Sequence, residues 1–288
     1  MITATLFSDP ACPWAYSESP ALRVIEWRYG DQIEWRLVLI GLTERVEQYL
    51  QRGYTPARQA QGRIVFKRFG MPFSSAPKDR VASTARGCRA LVATRLQNPG
   101  SEWAGYRALQ LANFNHGLML DDDEQIESVL ATVPEIDAAA VRAAMDSEEV
   151  TAAYEADKAQ SRTAAGSPTE LQGKAGNTDG AVRYTAPSII FQSGGLRLEA
   201  GGFQPVGAYD VIIANLDPTL TRRDAPETPE PLLAAFPGGL TTQEVAACLT
   251  PNNAEVDRSA AESALIGLVA EGRASFEPVG DDGVCRAV

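Results

Sequence analysis

Histidine and closely spaced cysteines are scarce in this sequence. His116 is the single histidine in 288 residues, so a histidine-rich metal site is excluded. The four cysteines, Cys12, Cys88, Cys248 and Cys285, lie far apart with no paired spacing. Such usage is typical of a reducing compartment and argues against a disulfide scaffold. We therefore expect neither a metal site nor structural disulfides.

Positive charge and long apolar runs are scarce as well. The 26 Lys and Arg residues face 37 Asp and Glu residues, which gives a net charge of −11. This balance argues against a general affinity for nucleic acid or anionic membranes. The apolar run at residues 2–7 has no basic start and is far too short to export the chain or to span a bilayer. We expect a soluble, cytoplasmic protein.

The most informative stretch is the first sixteen residues. The apolar run predicts a strand, and Asp9-Pro10-Ala11-Cys12-Pro13-Trp14 follows it. Proline is tolerated in the first turn of a helix, so Cys12 is expected at a helix N-terminus. The helix dipole and the free amides there favour a thiolate. We predict that Cys12 is a nucleophile with a depressed pKa; the alternative is a small side chain packed near the core.

The remaining pattern up to residue 217 indicates an α/β unit with a large helical insert. A helix that ends at Gly30 and a strand at 33–40 predict a parallel βαβ unit. Residues 166–184 form a polar, glycine-containing stretch, expected as a loop near Cys12, and Pro187 precedes a strand at 188–192, a turn at 193–195, a return strand at 196–200 and a final helix. Between these halves, helical patterns cover 43–51, 56–68, 78–97, 102–114, 122–133 and 137–165.

The strand and the motif around Cys12 resemble the active-site entry of the DsbA-like branch of the thioredoxin superfamily, and within it the cytoplasmic FrnE-like group. The resemblance spans about residues 1–217 and implies a thioredoxin-like fold with a helical insert at about 43–165. It also implies that Cys12 is catalytic, that Pro187 is cis and faces Cys12, and that the Ala186 backbone receives a substrate chain or thiol. Pro13, Trp14, Ala186 and Pro187 are the expected substrate-binding residues.

One position departs from the family pattern. The family usually carries a second cysteine three residues after the first, where this chain has Ala15. The second cysteine resolves mixed disulfides within the molecule, so the two-cysteine cycle cannot run on this motif alone. An external low-molecular-weight thiol of the glutathione or mycothiol type is then needed as co-substrate, with no bound cofactor.

A small C-terminal domain is predicted after a proline-rich linker at 218–231. Residues 232–288 show two helices and a hairpin, which resembles a winged-helix-like α+β domain. Residues 226–288 hold ten acidic and three basic residues, a balance that repels phosphates. We expect a module for packing or protein contact that binds no nucleic acid.

Two other residues, His116 and Cys88, carry side chains with possible chemical roles. His116 follows a predicted helix and precedes Gly117, where a capping role is favoured over that of a general base. Cys88 would act as a distant resolving thiol if the insert folded over Cys12, although burial in a helix face is more common.

Three functions stay open on the sequence alone. The first is an enzyme of the thiol-disulfide oxidoreductase or thiol transferase type, acting through a mixed disulfide at Cys12. The second is a non-catalytic redox sensor or adaptor that signals through the C-terminal domain. The third is a relative of kappa-type glutathione transferases or isomerases, which share the insert but usually bear serine at the Cys12 position. The substrate and the oligomeric state are not specified by the sequence.

Overall fold

A computed structural model describes residues 1–252 and 254–288. Its strands are β1 (Ile2–Ser8), β2 (Ile33–Leu39), β3 (Ala175–Gly176), β4 (Arg183–Tyr184), β5 (Ser188–Ser193), β6 (Leu196–Gly201), β7 (Leu240–Thr241), β8 (Ala274–Val279) and β9 (Asp282–Ala287). Its α-helices are α1 (Pro13–Ser17), α2 (Ser19–Tyr29), α3 (Val46–Gln51), α4 (Pro56–Phe66), α5 (Ala85–Gln97), α6 (Glu102–Asn115), α7 (Asp123–Leu130), α8 (Ala138–Ala144), α9 (Glu148–Ser161), α10 (Pro168–Leu171), α11 (Val206–Leu216), α12 (Glu230–Ala235), α13 (Thr242–Leu249) and α14 (Arg258–Ala270).

A four-stranded sheet of order β2-β1-β5-β6 organises the first part of the chain. Strand β1 runs parallel to β2, with Leu6 opposite Leu37, and antiparallel to β5, with Leu6 opposite Ile189. The predicted βαβ unit and the predicted hairpin of β5 and β6 are therefore confirmed. Because β5 is antiparallel to β1, the start of β5 and the end of β1 meet at one edge of the sheet.

The helix predicted between the first two strands is divided in two. Helix α1 ends at Ser17, and Glu18 separates it from α2. Helix α2 ends at Tyr29 and is capped by Gly30, which has a φ of 53°. Pro20 lies in the first turn of α2, where a proline needs no amide partner. The predicted stop at Gly30 is confirmed.

The insert is helical as predicted, with two differences. Residues 78–84 are not helical, because the Thr84 and Ala85 amides bond the Thr43 carbonyl and α5 begins only there. The segment predicted as one helix at 137–165 is two helices, since Ser147 caps the start of α9. Leu6 and Phe191 of the sheet share one core with Leu91 and Leu109 of the insert. The predicted α/β fold with a large helical insert is confirmed.

The C-terminal residues form a small α+β unit that packs against α2. Its sheet has the order β7-β9-β8, and α13 begins with the predicted capping box of Thr241 and Glu244. Helix α12 already begins at Glu230, two residues inside the predicted linker. The core of the unit includes Val24 of α2. The C-terminal unit is thus continuous with the rest of the protein. No helix in the described residues is both long enough and apolar enough to cross a bilayer.

Candidate active site

Cys12 lies at the junction between β1 and α1. Its backbone is extended, with φ −80° and ψ 114°, and it precedes Pro13, the first residue of α1. The Cys12 amide donates to the Asp9 carbonyl at 3.0 Å, and the Cys12 carbonyl accepts from the Tyr16 amide at 3.0 Å. The turn therefore places Cys12 at the N-terminus of a helix, as the sequence predicts.

The Cys12 thiol contacts the segment before β5. The peptide bond between Ala186 and Pro187 is cis, as expected from the family resemblance. The Cys12 Sγ donates a hydrogen bond to the Ala186 carbonyl oxygen at 3.0 Å. The structure thus brings Cys12, Ala186 and Pro187 together at the sheet edge where β1 ends and β5 begins.

The expectation of a depressed pKa at Cys12 is wrong for this structure. Cys12 is 5% exposed, and this burial raises the pKa of its thiol. The amides of Ala15 and Trp14 lower the pKa, as the helix N-terminus should, but the nearby Asp9 carboxylate raises it. The balance lies at about 12, because desolvation of the thiolate outweighs the helix terminus. The Cys12 thiol is therefore protonated at neutral pH.

Asp9 is a site residue that the sequence reasoning missed. One of its carboxylate oxygens accepts the Ala11 amide at 2.8 Å, and the other accepts the Leu42 amide and the Thr84 hydroxyl, each at 2.8 Å. Burial raises the Asp9 pKa, whereas these donors lower it. Asp9 thereby connects the turn before Cys12 to Leu42, which follows β2, and to Thr84 of the insert. A polar residue directly after an apolar strand was the available signal.

Cys88 lies beside Asp9 on the buried face of α5. It is fully buried, and its Sγ is 3.5 Å from the second Asp9 carboxylate oxygen. Burial raises the Cys88 pKa well above its usual value. All four cysteines are free thiols and buried. Cys88 thus occupies the buried helix face that the sequence analysis considered more common than a resolving role.

Trp14 extends from α1 among aromatic side chains and is 41% exposed. Its ring lies 4.9 Å from Phe66, 5.6 Å from Phe69 and 5.6 Å from Phe203, measured between centroids. These contacts fix the indole near Cys12 while part of it faces solvent. Trp14 is therefore placed where a bound molecule would meet it.

A first cavity, here the thiol cavity, opens at Cys12 and has a volume of about 360 Å³. Part of its wall comes from the stretch 173–183, so the segment predicted as a loop, 166–184, does lie at this site. The segment is not a loop throughout, because it contains α10 and the paired strands β3 and β4. Among its lining residues are Cys12, Trp14, Lys174, Arg183, Ala186 and Phe203.

A second cavity, here the basic cavity, adjoins the first and has a volume of about 510 Å³. Trp14, Leu42 and Arg183 line both cavities, and Pro13 lines the second. Its basic lining residues come from the segment 52–78 and from the distant Arg183, so no single local sequence pattern signals the set: Arg52, Arg58, Arg63, Lys78 and Arg183.

His116 is the C-cap of α6, as the sequence analysis favoured. In the ranges 1–252 and 254–288, no group of three or more His, Cys, Asp or Glu side chains is arranged to hold a metal ion. The chemistry available at the site is therefore that of a thiol next to a backbone carbonyl, two cavities and a set of cations.

A comparison with protein families matches residues 3–186 to the DSBA-like thioredoxin domain. A search of curated protein sequences gave no match. The matched region contains Cys12, Pro13, Trp14 and Ala186 and ends directly before Pro187.

Solved structures share the fold at low identity. A putative protein disulfide isomerase from Nitrosomonas europaea is 17% identical, with a TM-score of 0.55 over 74% of this chain and 96% of that one. A probable DsbA oxidoreductase from Streptomyces coelicolor is 17% identical, with a TM-score of 0.55 over 77% of this chain and 92% of that one. The cytosolic disulfide reductase DsbM from Pseudomonas aeruginosa is 17% identical, with a TM-score of 0.53 over 74% and 98%. A DsbM structure with GSH is 16% identical, with a TM-score of 0.51 over 74% and 98%.

Proposed function

The chain belongs to the DSBA-like thioredoxin domain family, and from that premise we propose that it is a thiol-disulfide oxidoreductase or thiol transferase that works through one cysteine, Cys12. The observation that carries the proposal is the Cys12 Sγ lying 3.0 Å from the Ala186 carbonyl oxygen, next to the cis peptide bond of Pro187. Ala15 occupies the position one helical turn further on, so the start of α1 carries a single thiol, that of its N-cap Cys12.

The proposed reaction is an exchange in two steps. The Cys12 sulfur attacks one sulfur of a disulfide, forms a mixed disulfide and releases the other half as a thiolate, which takes the proton that Cys12 gave up. An external thiol then attacks the mixed disulfide, leaves with the bound half as a new disulfide and returns Cys12 to the thiol. No electrons are gained or lost by the protein over the cycle.

The backbone beside Cys12 suits the binding step. The Ala186 carbonyl oxygen accepts a hydrogen bond from the Cys12 thiol. An extended backbone segment can pair with an incoming chain as an added strand. We propose that Ala186 and Pro187 receive the substrate, and that Pro13 and Trp14 form the opposite wall. The Cys12 pKa of about 12 leaves little thiolate at neutral pH. Catalysis then depends on the positioning of the substrate disulfide at Cys12 and on a change that makes the thiol less buried.

We propose a low-molecular-weight thiol of the glutathione or mycothiol type as the second substrate. Ala15 makes an external thiol necessary, and DsbM, which shares the fold, has been solved with GSH. The widely spaced, free cysteines favour a reducing compartment, and we propose a cytoplasmic location on that basis.

Turnover tests the proposal. Hydroxyethyl disulfide and glutathione are mixed with the protein, and the formation of oxidised glutathione is followed. We expect Cys12→Ser to lower the rate by about a hundredfold or more, because the nucleophile is lost. Cys248→Ser removes a buried thiol of the C-terminal unit and serves as the matched control with unchanged rate. A Cys12→Ser protein that keeps the wild-type rate contradicts the proposal.

A second candidate is a redox sensor that signals through the C-terminal unit. Asp281 of the β8–β9 turn contacts the Lys67 ammonium at 2.6 Å and accepts the Phe73 amide at 3.0 Å. Phe66 and Phe69, next to Lys67 in the chain, pack on Trp14 near Cys12. The C-terminal unit, which we propose to be winged-helix-like and to contact proteins, thus reaches the same segment as the site. A changed hydrogen-exchange rate at 274–287 on Cys12 oxidation, in a protein without turnover, would favour this function.

A further inference from the structure

All charged side chains that the structure places in the lining of the basic cavity are basic ones. Five basic side chains line it, and no Asp or Glu does so among the described residues. The chain as a whole is acidic, with a net charge of −11. Such a concentration of positive charge in a concave, low-dielectric site attracts anions. The contrast with the rest of the surface is a first sign of a ligand site.

In the part of the chain that the structure describes, the basic side chains of this cavity have no carboxylate partner within 4.0 Å. Most Lys and Arg side chains of the protein form an ion pair within 4.0 Å, but none of these five does so within residues 1–252 and 254–288. Arg63 is 7% exposed and Arg183 is 6% exposed. The Arg63 guanidinium donates only long bonds, to the Ser74 carbonyl at 3.4 Å and the Ala76 carbonyl at 3.3 Å. A buried cation is costly without an anion, so an anionic ligand would complete this site.

The other walls of the basic cavity are aromatic. Five aromatic side chains line the cavity and supply apolar surface inside it: Trp14, Tyr49, Tyr54, Phe66 and Phe114. The Arg58 guanidinium lies over the Tyr54 ring, 5.5 Å from its centroid. A volume of about 510 Å³ lies in the range of small-molecule sites. Size and lining together favour a compact molecule with an apolar body.

We propose that the basic cavity binds a small organic dianion, with an aromatic or apolar body against the aromatic wall and two carboxylates on the arginine side chains. Planar guanidinium groups match carboxylates in a two-bonded geometry. Trp14, Leu42 and Arg183 also line the thiol cavity, so a ligand held here would reach Cys12. The inference thus rests on the proposed function, and it names the substrate class of that function: a disulfide or thiol that carries this anionic body.

Equilibrium binding to the Cys12→Ser protein tests the inference without exchange chemistry. The probe is naphthalene dicarboxylate, its neutral match is the dimethyl ester, and calorimetry measures both. We expect the dicarboxylate to bind about tenfold or more tightly than the ester at low salt, and its affinity to fall as salt rises. Equal affinities of the two compounds, or no binding of the dicarboxylate at millimolar concentration, would overturn the inference.

Charge-removing variants locate the site. We expect Arg63→Gln to weaken dicarboxylate binding about tenfold or more. The double variant Arg52→Gln with Arg58→Gln changes exposed residues, so it keeps the test valid if Arg63→Gln folds poorly. Arg45→Gln removes an exposed cation outside the cavity and is the matched control. If the cavity variants bind the dicarboxylate as tightly as Arg45→Gln does, the assignment of the binding site to the basic cavity is wrong.

Competition with inorganic phosphate distinguishes a site for an organic dianion with an apolar part from a site for any small anion. We expect phosphate to displace the probe only at concentrations far above the probe's own dissociation constant, because phosphate lacks the apolar body. Displacement at equal concentration would refute the class of ligand. Since all measurements use Cys12→Ser, loss of exchange in the turnover assay and loss of binding here are separate results.

Discussion

The guanidinium of Arg107 and the carboxylate of Glu244 form a two-bonded ion pair, with both nitrogen–oxygen distances at 2.7 Å. Arg107 belongs to α6 of the insert and Glu244 to α13 of the C-terminal unit. The Glu244 side chain is fully buried, and the Arg107 side chain is 13% exposed. Burial by itself raises the Glu244 pKa, but the charge and hydrogen bonds of Arg107 lower it to about 2. The pair joins the C-terminal unit to the insert.

Removal of one partner of this pair should be strongly destabilising. We expect Arg107→Met to lower the free energy of unfolding by about 3 kcal/mol, because the buried Glu244 carboxylate then keeps only the longer contact with the Arg23 Nε at 3.7 Å. Urea unfolding measures the change. Arg273→Met breaks exposed pairs with Glu230 and Glu271 and should cost less than about 1 kcal/mol. Equal losses for the two variants would contradict the structural role of the buried pair.

Stability should depend on pH through Glu18. This carboxyl is fully buried between α1 and α2, accepts the Tyr209 hydroxyl at 2.8 Å and accepts the Gln204 amide at 3.2 Å. Desolvation raises its pKa from 4.5 to about 8, against these two hydrogen bonds, which lower it. Between pH 4.5 and about 8, the folded state therefore holds a proton that the unfolded state has already released. The contribution of the protonated Glu18 carboxyl to the free energy of unfolding is fully present below pH 4.5 and is lost as the pH rises from 4.5 to about 8.

Glu18→Gln should remove this dependence, since the amide resembles the protonated acid. We expect the free energy of unfolding of the wild type to fall, relative to Glu18→Gln, by at most about 1.4 kcal/mol per pH unit from pH 5 to 8. Urea unfolding at pH 5, 6, 7 and 8 gives the two profiles. Glu34→Gln, at an exposed position of β2, is the control for the chemical change. Parallel profiles of wild type and Glu18→Gln would contradict the protonated state of Glu18.

Lys78 should take up a proton when a dianion enters the basic cavity. Its pKa falls from 10.5 to about 7, because desolvation, Arg63 and Arg80 together lower it more than Asp121 raises it. Its ammonium donates to the Asn113 side chain at 2.6 Å and to the Leu118 carbonyl. Much of Lys78 is therefore neutral at pH 8, and a bound anion favours the charged form. Calorimetric binding enthalpies in two buffers of different ionisation enthalpy should reveal uptake of up to about one proton, which Lys78→Met should abolish. Binding at pH 8 with the same enthalpy in both buffers would contradict this prediction.

A second thiol at position 15 should change the fate of the mixed disulfide. Ala15 is buried in α1, one turn from Cys12, at the position where the family usually has cysteine. We expect a glutathione adduct at Cys12 to persist without added thiol in the wild type. In Ala15→Cys the lifetime of the adduct should be at least about tenfold shorter, because the new thiol attacks the mixed disulfide within the molecule. Mass spectrometry after removal of free glutathione follows the adduct. Ala15→Ser is the matched control, and equal lifetimes for Ala15→Cys and Ala15→Ser would contradict the assigned geometry.

Local signals sufficed for the elements that carry the site. The strand, Pro13 and Gly30 mark their own places in the chain, and the antiparallel start of β5 beside Cys12 follows from strand order. The cis peptide bond before Pro187 was predicted from the family resemblance, and the structure contains it.

What the sequence did not reveal depends on distant contacts. The helix-terminal amides near Cys12 are a local feature that lowers its pKa, whereas the burial that raises the pKa comes from surrounding segments. Asp9 is bonded by Leu42 and Thr84, which lie 33 and 75 residues away. The basic cavity joins residues 52–78 to Arg183 in the same way. Such sites have no period or spacing in the chain.

The most direct test of the account is to identify the cysteine that forms a mixed disulfide. The protein is incubated with glutathione disulfide at pH 9, free glutathione is removed, and the adduct is located by mass spectrometry of proteolytic peptides. We predict one glutathione per chain, bound to the peptide that contains Cys12, and no adduct in Cys12→Ser. An adduct on Cys88, Cys248 or Cys285 in place of Cys12, or an undiminished adduct in Cys12→Ser, would contradict the central claim.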